Sequence, residues 1–109
     1  MQKPFDINRV ENEDGKSATI VFNLAEGLNH GNLLKGIVEE MVRDGFKSWN
    51  LDLQNIAYIH SLNLTVLIGL SRLISRDEGK VEITVKRGSQ LWTLFERMQI
   101  HQVMPVRTC

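Results

Sequence analysis

The chain has 109 residues, 42% of them hydrophobic, enough for one compact core and too few for two domains. Thirteen basic residues balance thirteen acidic ones, so there is no one-signed field for nucleic acid or an anionic membrane, and a protein or small ligand fits better as a partner. The single cysteine, Cys109, excludes an internal disulfide or a cysteine-based zinc site and reads as an incidental thiol. The start, Met1 to Asp6, lacks the apolar core of a signal peptide, and no apolar run reaches the roughly 18 residues that span a bilayer. A soluble cytoplasmic protein, one domain over residues 1–109, is the expectation.

In chain order, Phe5 to Val10 reads as a weak strand, and Asp14-Gly15 within the turn Asn12 to Lys16 is a hairpin signal. Ala18 to Leu24 follows as a better strand, with Ile20, Phe22 and Leu24 alternating toward one face. Gly27 to Asn32 reads as a polar, glycine-bearing loop. Leu33, Leu34, Ile37, Val38, Met41 and Val42 then fall at helical spacing, and Gly45 is placed to end that helix. Trp49, Leu51 and Leu53 alternate with Asn50 and Asp52 as a strand, and Ile56, Tyr58 and Ile59 carry apolar character into the loop before Ser61.

A very apolar helix is predicted from Leu62 to about Arg76, ended by Glu78-Gly79-Lys80. Val81, Ile83 and Val85 make a further strand. Ser89 is placed to cap a helix bearing Leu91, Trp92, Leu94, Phe95 and Met98, and Val103 to Val106 is a last short apolar strand or helix. Trp49 and Trp92 belong to apolar patterns and read as core rather than ligand-stacking residues. Strands alternating with helices after a hairpin imply right-handed crossovers. The fold class is therefore α/β, a mixed four- to five-stranded β-sheet covered by helices.

Ser61 opens the second long helix, where exposed N–H groups and the positive dipole end favour either a capping hydroxyl or a phosphate. On a wheel of about 100° per residue, Thr65, Gly69, Arg72 and Arg76 share one narrow stripe with Leu62 and Leu73 at its edge. Asn63 and Ser71 interrupt the apolar remainder. A mid-helix glycine costs about 1 kcal/mol relative to alanine, so Gly69 points to close packing or to the close approach of a partner, and its place in the polar stripe favours the partner. Arg72 and Arg76 fit either a solvated face or contacts to partner carboxylates.

Leu51-Asp52-Leu53, the apolar positions Ile56, Tyr58 and Ile59, Ser61, Leu64 and the run Val66 to Leu70 together resemble the STAS domain, and within it the bacterial anti-sigma-factor antagonists. The resemblance spans most of the chain. The family's tetrad is altered here: His60 stands at its aspartate, Leu62 at its second hydroxyl residue and Asn63 at its glycine, while Asn29 stands at an aspartate of the first βα loop. The resemblance implies partner switching, in which the unphosphorylated antagonist binds an anti-sigma factor that is also a serine kinase. Phosphorylation of Ser61 ends the binding and a serine phosphatase restores it.

The implied docking residues are Asn29, His60, Ser61, Leu62, Asn63, Thr65, Gly69 and Arg72, with no catalytic residue, metal or cofactor. An imidazole at position 60 can stabilise a phosphate on Ser61 or remove a contact to the kinase; an exposed loop histidine without a role is the alternative. A second reading keeps the fold without the switch, as a non-phosphorylated STAS subunit of a transport or signalling complex.

An enzyme built on His60, Ser61 and Asp52 or His30 is disfavoured, because adjacent residues rarely present a base to a hydroxyl and no Gly-x-Ser-x-Gly elbow surrounds Ser61. His30, His60 and His101 lack paired metal-ligand spacing. Gly27 to Gly31 is no phosphate-binding loop.

Overall fold

A computed structural model describes residues 4–13, 15–56, 58–76, 78–99 and 106–108, with the side chains of Ala25, Glu26, Ser61 and 106–108 outside that description. Strands β1 (Phe5–Asn12) and β2 (Gly15–Phe22) form the antiparallel hairpin, in register from Phe5 opposite Phe22 to Asn12 opposite Gly15. Gly15 has φ of +137°, a conformation that a side chain disfavours. The ladder extends beyond the apolar run on both strands, because backbone pairing continues through polar residues once the turn fixes the register. Ala18, Ile20 and Phe22 turn to the core, with Phe5 and Ile7 beside them.

Where the sequence suggests a polar loop, the chain makes a 3₁₀ turn, Ala25–Asn29, anchored by the fully buried Leu28. The Pro4 carbonyl accepts from the Asn23 and Leu24 amides at 2.9 and 3.2 Å, pinning this turn to the start of β1. Helix α1 (Gly31–Arg43) buries Leu34, Val38 and Met41 and ends at Gly45, whose φ of +100° fits the left-handed residue that follows a helix.

Strand β3 (Phe46–Asp52) starts with a bulge: Lys16 pairs with Phe46 but Ser17 with Ser48. The extra residue lets Phe46 and Trp49 both face the core, three positions apart, and the Trp49 indole N–H donates to the Phe46 carbonyl at 2.8 Å across it.

Helix α2 (Ser61–Arg76) follows, and the Gly79 amide donates to the Ile74 carbonyl at 3.2 Å just beyond its end. Strand β4 (Lys80–Val85) leads to α3 (Gln90–Arg97), where the Ser89 hydroxyl accepts from the Trp92 amide at 3.1 Å as expected of a cap. Strand β5 is Val106–Thr108; positions 103–105 of the expected final element lie outside the described residues.

The sheet order is β1-β2-β3-β4-β5, parallel from β2 onward. Stepping always to the next strand through right-handed crossovers puts every helix on the same face. Burial agrees, since Ile20, Leu51 and Ile83, neighbours across the sheet, are inaccessible to solvent, whereas Thr19, Asn50 and Glu82 in the adjacent row are only half-buried. The helices thus cover one face and leave a polar one, where the Thr84 hydroxyl donates to the Asn50 side-chain oxygen at 2.9 Å.

A Cβ at Gly27 would lie 2.8 Å from the Pro4 carbonyl oxygen and 3.1 Å from Phe22 Cδ1, whereas one at the exposed helix residue Gly36 would meet nothing within 4 Å. Gly27→Ala should cost about 1–3 kcal/mol. Gly36→Ala should stabilise by up to about 1 kcal/mol. Urea unfolding measures both, and shifts of the same sign would refute this packing.

Candidate functional site

Strands β2 and β3 both end where α1 and α2 begin, so the loops there meet at one edge of the molecule. After β3, the Asp52 carboxylate accepts from the Gln54 amide at 3.0 Å and its side-chain amide at 3.4 Å, closing a tight turn. Ile56 and Ile59 are buried and hold the loop down, while Tyr58 points outward and meets the His60 ring edge-on, with centroids 5.6 Å apart. A neighbouring loop is tied in where Asn23 donates to Asp6 at 2.8 Å and accepts from Asn55 at 3.4 Å.

The Leu64 amide donates to the His60 carbonyl at 3.1 Å, so His60 stands at the cap position and Ser61 is the first residue of α2. Of the two roles read for Ser61, a cap or a phosphate acceptor, the cap position therefore falls to His60. Asn63, third residue of the helix, performs half of a capping box: its Oδ1 accepts from the His60 amide at 3.2 Å. Its Nδ2 donates to Asn29 Oδ1 at 3.0 Å, joining the start of α2 to the end of the 3₁₀ turn. With 5% exposure and both ends engaged, Asn63 is an internal clamp rather than a surface for a partner. Asn29 itself is exposed.

His60, Leu62, Thr65, Gly69 and Arg72 lie outward. Leu62 is 79% exposed, and Thr65, Gly69 and Arg72 follow it along one open stripe with Arg76. A Cβ at Gly69 would meet nothing within 4 Å, so packing inside the domain does not explain that glycine. Leu73, expected at the stripe's edge, is buried, and the Ser71 hydroxyl is turned back onto the Leu67 carbonyl at 2.9 Å.

Two further apolar residues share this end of the molecule: Leu33, 55% exposed in the first turn of α1, and Tyr58, 54% exposed. Helical spacing draws Leu33 into the core pattern, but Leu34, Val38 and Met41 already fill the face that α1 buries. Tyr58 was readable only as an apolar loop residue, since its outward direction depends on Ile56 and Ile59 pointing in.

No carboxylate lies in the first turn of α2, which leaves the positive end of its dipole uncompensated there. Among the described residues no group of three or more His, Cys, Asp or Glu is arranged to hold a metal ion. His30 lies against Phe5 with ring centroids 6.3 Å apart, and His60 against Tyr58; His101 and Cys109 lie outside the described residues. Among the described residues no helix is long and apolar enough to cross a membrane.

Helices on one face of a sequentially ordered mixed sheet, with an apolar loop leading from the central strand to a serine that opens α2, define the STAS fold. The chain is similar in structure to the crystal structure of an anti-sigma factor antagonist from Mycobacterium paratuberculosis, with TM-score 0.60 over 94% of this chain and 86% of that one. At 13% identity the likeness is one of fold. No family model matches the sequence, and no curated protein does.

Asn63→Ala removes an acceptor from the His60 amide and a donor from Asn29, and should destabilise the domain by about 1–3 kcal/mol. In a double-mutant cycle with Asn29→Ala, unfolding free energies should show coupling of about 0.5–1.5 kcal/mol. Strict additivity would mean that the Asn29–Asn63 bond contributes nothing.

Proposed function

We propose that the protein is a non-catalytic anti-sigma-factor antagonist that docks an anti-sigma factor on the end of the molecule bearing Leu33, Tyr58 and Leu62 and along the open stripe of α2. The observation that carries this reading is Leu62, a large apolar side chain left four-fifths in solvent directly after Ser61. Leu33 and Tyr58 extend the apolar surface at the same end, and such clustering marks a protein contact better than a lone exposed leucine does. The docking set is His60, Ser61, Leu62, Thr65, Gly69, Arg72 and Asn29, with Asn63 supporting it from beneath.

In this reading the anti-sigma factor is also the serine kinase, Ser61 is the acceptor and a serine phosphatase reverses the modification, in the cytoplasm of a bacterium. A phosphate on the first residue of α2 would add about two negative charges where free N–H groups and the dipole tolerate an anion. The same dianion would be hydrated and would stand beside Leu62, opposing burial of that surface under a partner. The domain would keep its fold while its affinity changes.

Incubation with the cognate kinase and ATP should add one phosphate by intact mass, and Ser61→Ala should abolish it. Ser61→Glu should weaken binding of the anti-sigma factor at least tenfold, a change of about 1.4 kcal/mol or more. A second reading, a constitutive STAS subunit of a transport or signalling complex, is favoured by the altered tetrad, in which His60 packs on Tyr58 and Asn63 is committed to Asn29. It requires Ser61→Ala and Ser61→Glu to bind alike.

Gly69→Ala separates folding from docking. It should raise stability by up to about 1 kcal/mol. It should also weaken partner binding in titration calorimetry, whereas Gly36→Ala stabilises without that loss. Unchanged affinity in Gly69→Ala would remove Gly69 from the interface.

A further inference from the structure

Between α1 and α2 lies an open groove of about 380 Å³ whose lining contains three cations, Lys35, Arg72 and Arg76, and no carboxylate. We infer that this groove receives an acidic helical segment of a partner protein, with carboxylates one turn apart on Arg72 and Arg76 and a small residue of the same face against Gly69. The inference rests on the reading of α2 as a docking surface and adds the chemistry of what docks.

Charge is the first support. The chain as a whole has no net charge, yet these three cations gather around one concavity. None of them makes an ion pair among the described residues. The next carboxylate along α1, Glu39, lies one turn beyond Lys35, faces Arg43 at 3.9 Å and lines the neighbouring concavity with Arg76 rather than this groove. Three cations beside a partly apolar trough, lined by Leu70 and Leu73, fit an acidic partner and repel a basic one.

Shape is the second support. Gly31 and Gly69 both line the groove, one from each helix, and Gly69 is open above its Cα. A third helix can approach closely where no Cβ intervenes, so the helical cost of Gly69 has a use only when something lies there. Arg72 and Arg76 are four residues apart, and positions so spaced recur about 6 Å along a helix axis. Glutamates or aspartates at i and i+4 of a partner helix repeat at the same distance.

The test uses the whole isotope-labelled protein at low ionic strength. It is titrated with two blocked alanine-based helical peptides, one bearing glutamate pairs at i and i+4 and the other glutamine at the same places. Saturable amide shifts at Gly31, Gly69 and Arg72 are expected with the glutamate peptide. Binding should be at least tenfold weaker with the glutamine peptide, in Arg72→Glu/Arg76→Glu, and in the milder Lys35→Gln/Arg76→Gln should the first variant fold poorly.

Equal binding of both peptides, or shifts centred on the other basic segment, Lys86 to Gln90, would overturn the inference. Ser61 plays no part in this readout, so failure of the phosphorylation switch leaves it standing. A protein that binds its anti-sigma factor through Leu62 but does not discriminate between the peptides keeps the docking surface and loses the acidic groove. One that binds neither loses both.

Discussion

The structure depends most on the direction in which the sheet grows. After β2 each strand lies beside its predecessor and runs parallel to it, so each connection must cross over, and the right-handed twist of the chain sends every crossover to the same side. The helices share one face because of that rule, and the alternation along the central strands obeys it, with Ile20, Leu51 and Ile83 turned toward them and Thr19, Asn50 and Glu82 turned away. The same rule brings the starts of α1 and α2 to the ends of β2 and β3. The end of the molecule where the candidate site lies is thus a product of topology before any side chain is chosen.

Side chains then decide what kind of end it is. An asparagine at the third position of α2 supplies the acceptor that a histidine cap leaves to its surroundings, and its amide reaches across to Asn29. Leucine at position 62, glycine at 69 and arginines at 72 and 76 make up the outward face of α2. One face of this helix packs on the sheet, while the other carries the exposed Leu62 and the open Gly69.

Much of this was legible in the sequence because it lies in periodicity and turn chemistry. Alternation at Ile20 and Phe22 and at Leu51 and Leu53, helical spacing in the segments of α1 and α2, and punctuation at Gly45, Gly79 and Ser89 place seven elements in order. The sequence pattern was less informative where tertiary contacts outrank local ones. Leu28 draws a polar-looking loop into a 3₁₀ turn, and the bulge at the start of β3 turns Phe46 inward out of phase with Trp49. Asn63 looks like a surface asparagine until Asn29, 34 positions earlier, is known to lie against it. Leu33 looks like core because helical spacing records a face but not how wide that face must be.

The Asn29–Asn63 bond also bears on how the domain meets another molecule. Together with the Asn55–Asn23 bond it joins the two crossover loops, and its Asn63 end is buried. A partner that grips both loops finds them already in place, so little ordering entropy is lost on association. Under the proposed function, recognition at this end would be rigid-body docking of a preorganised surface, with selectivity set by the fit of Leu62 and its neighbours rather than by refolding around the guest.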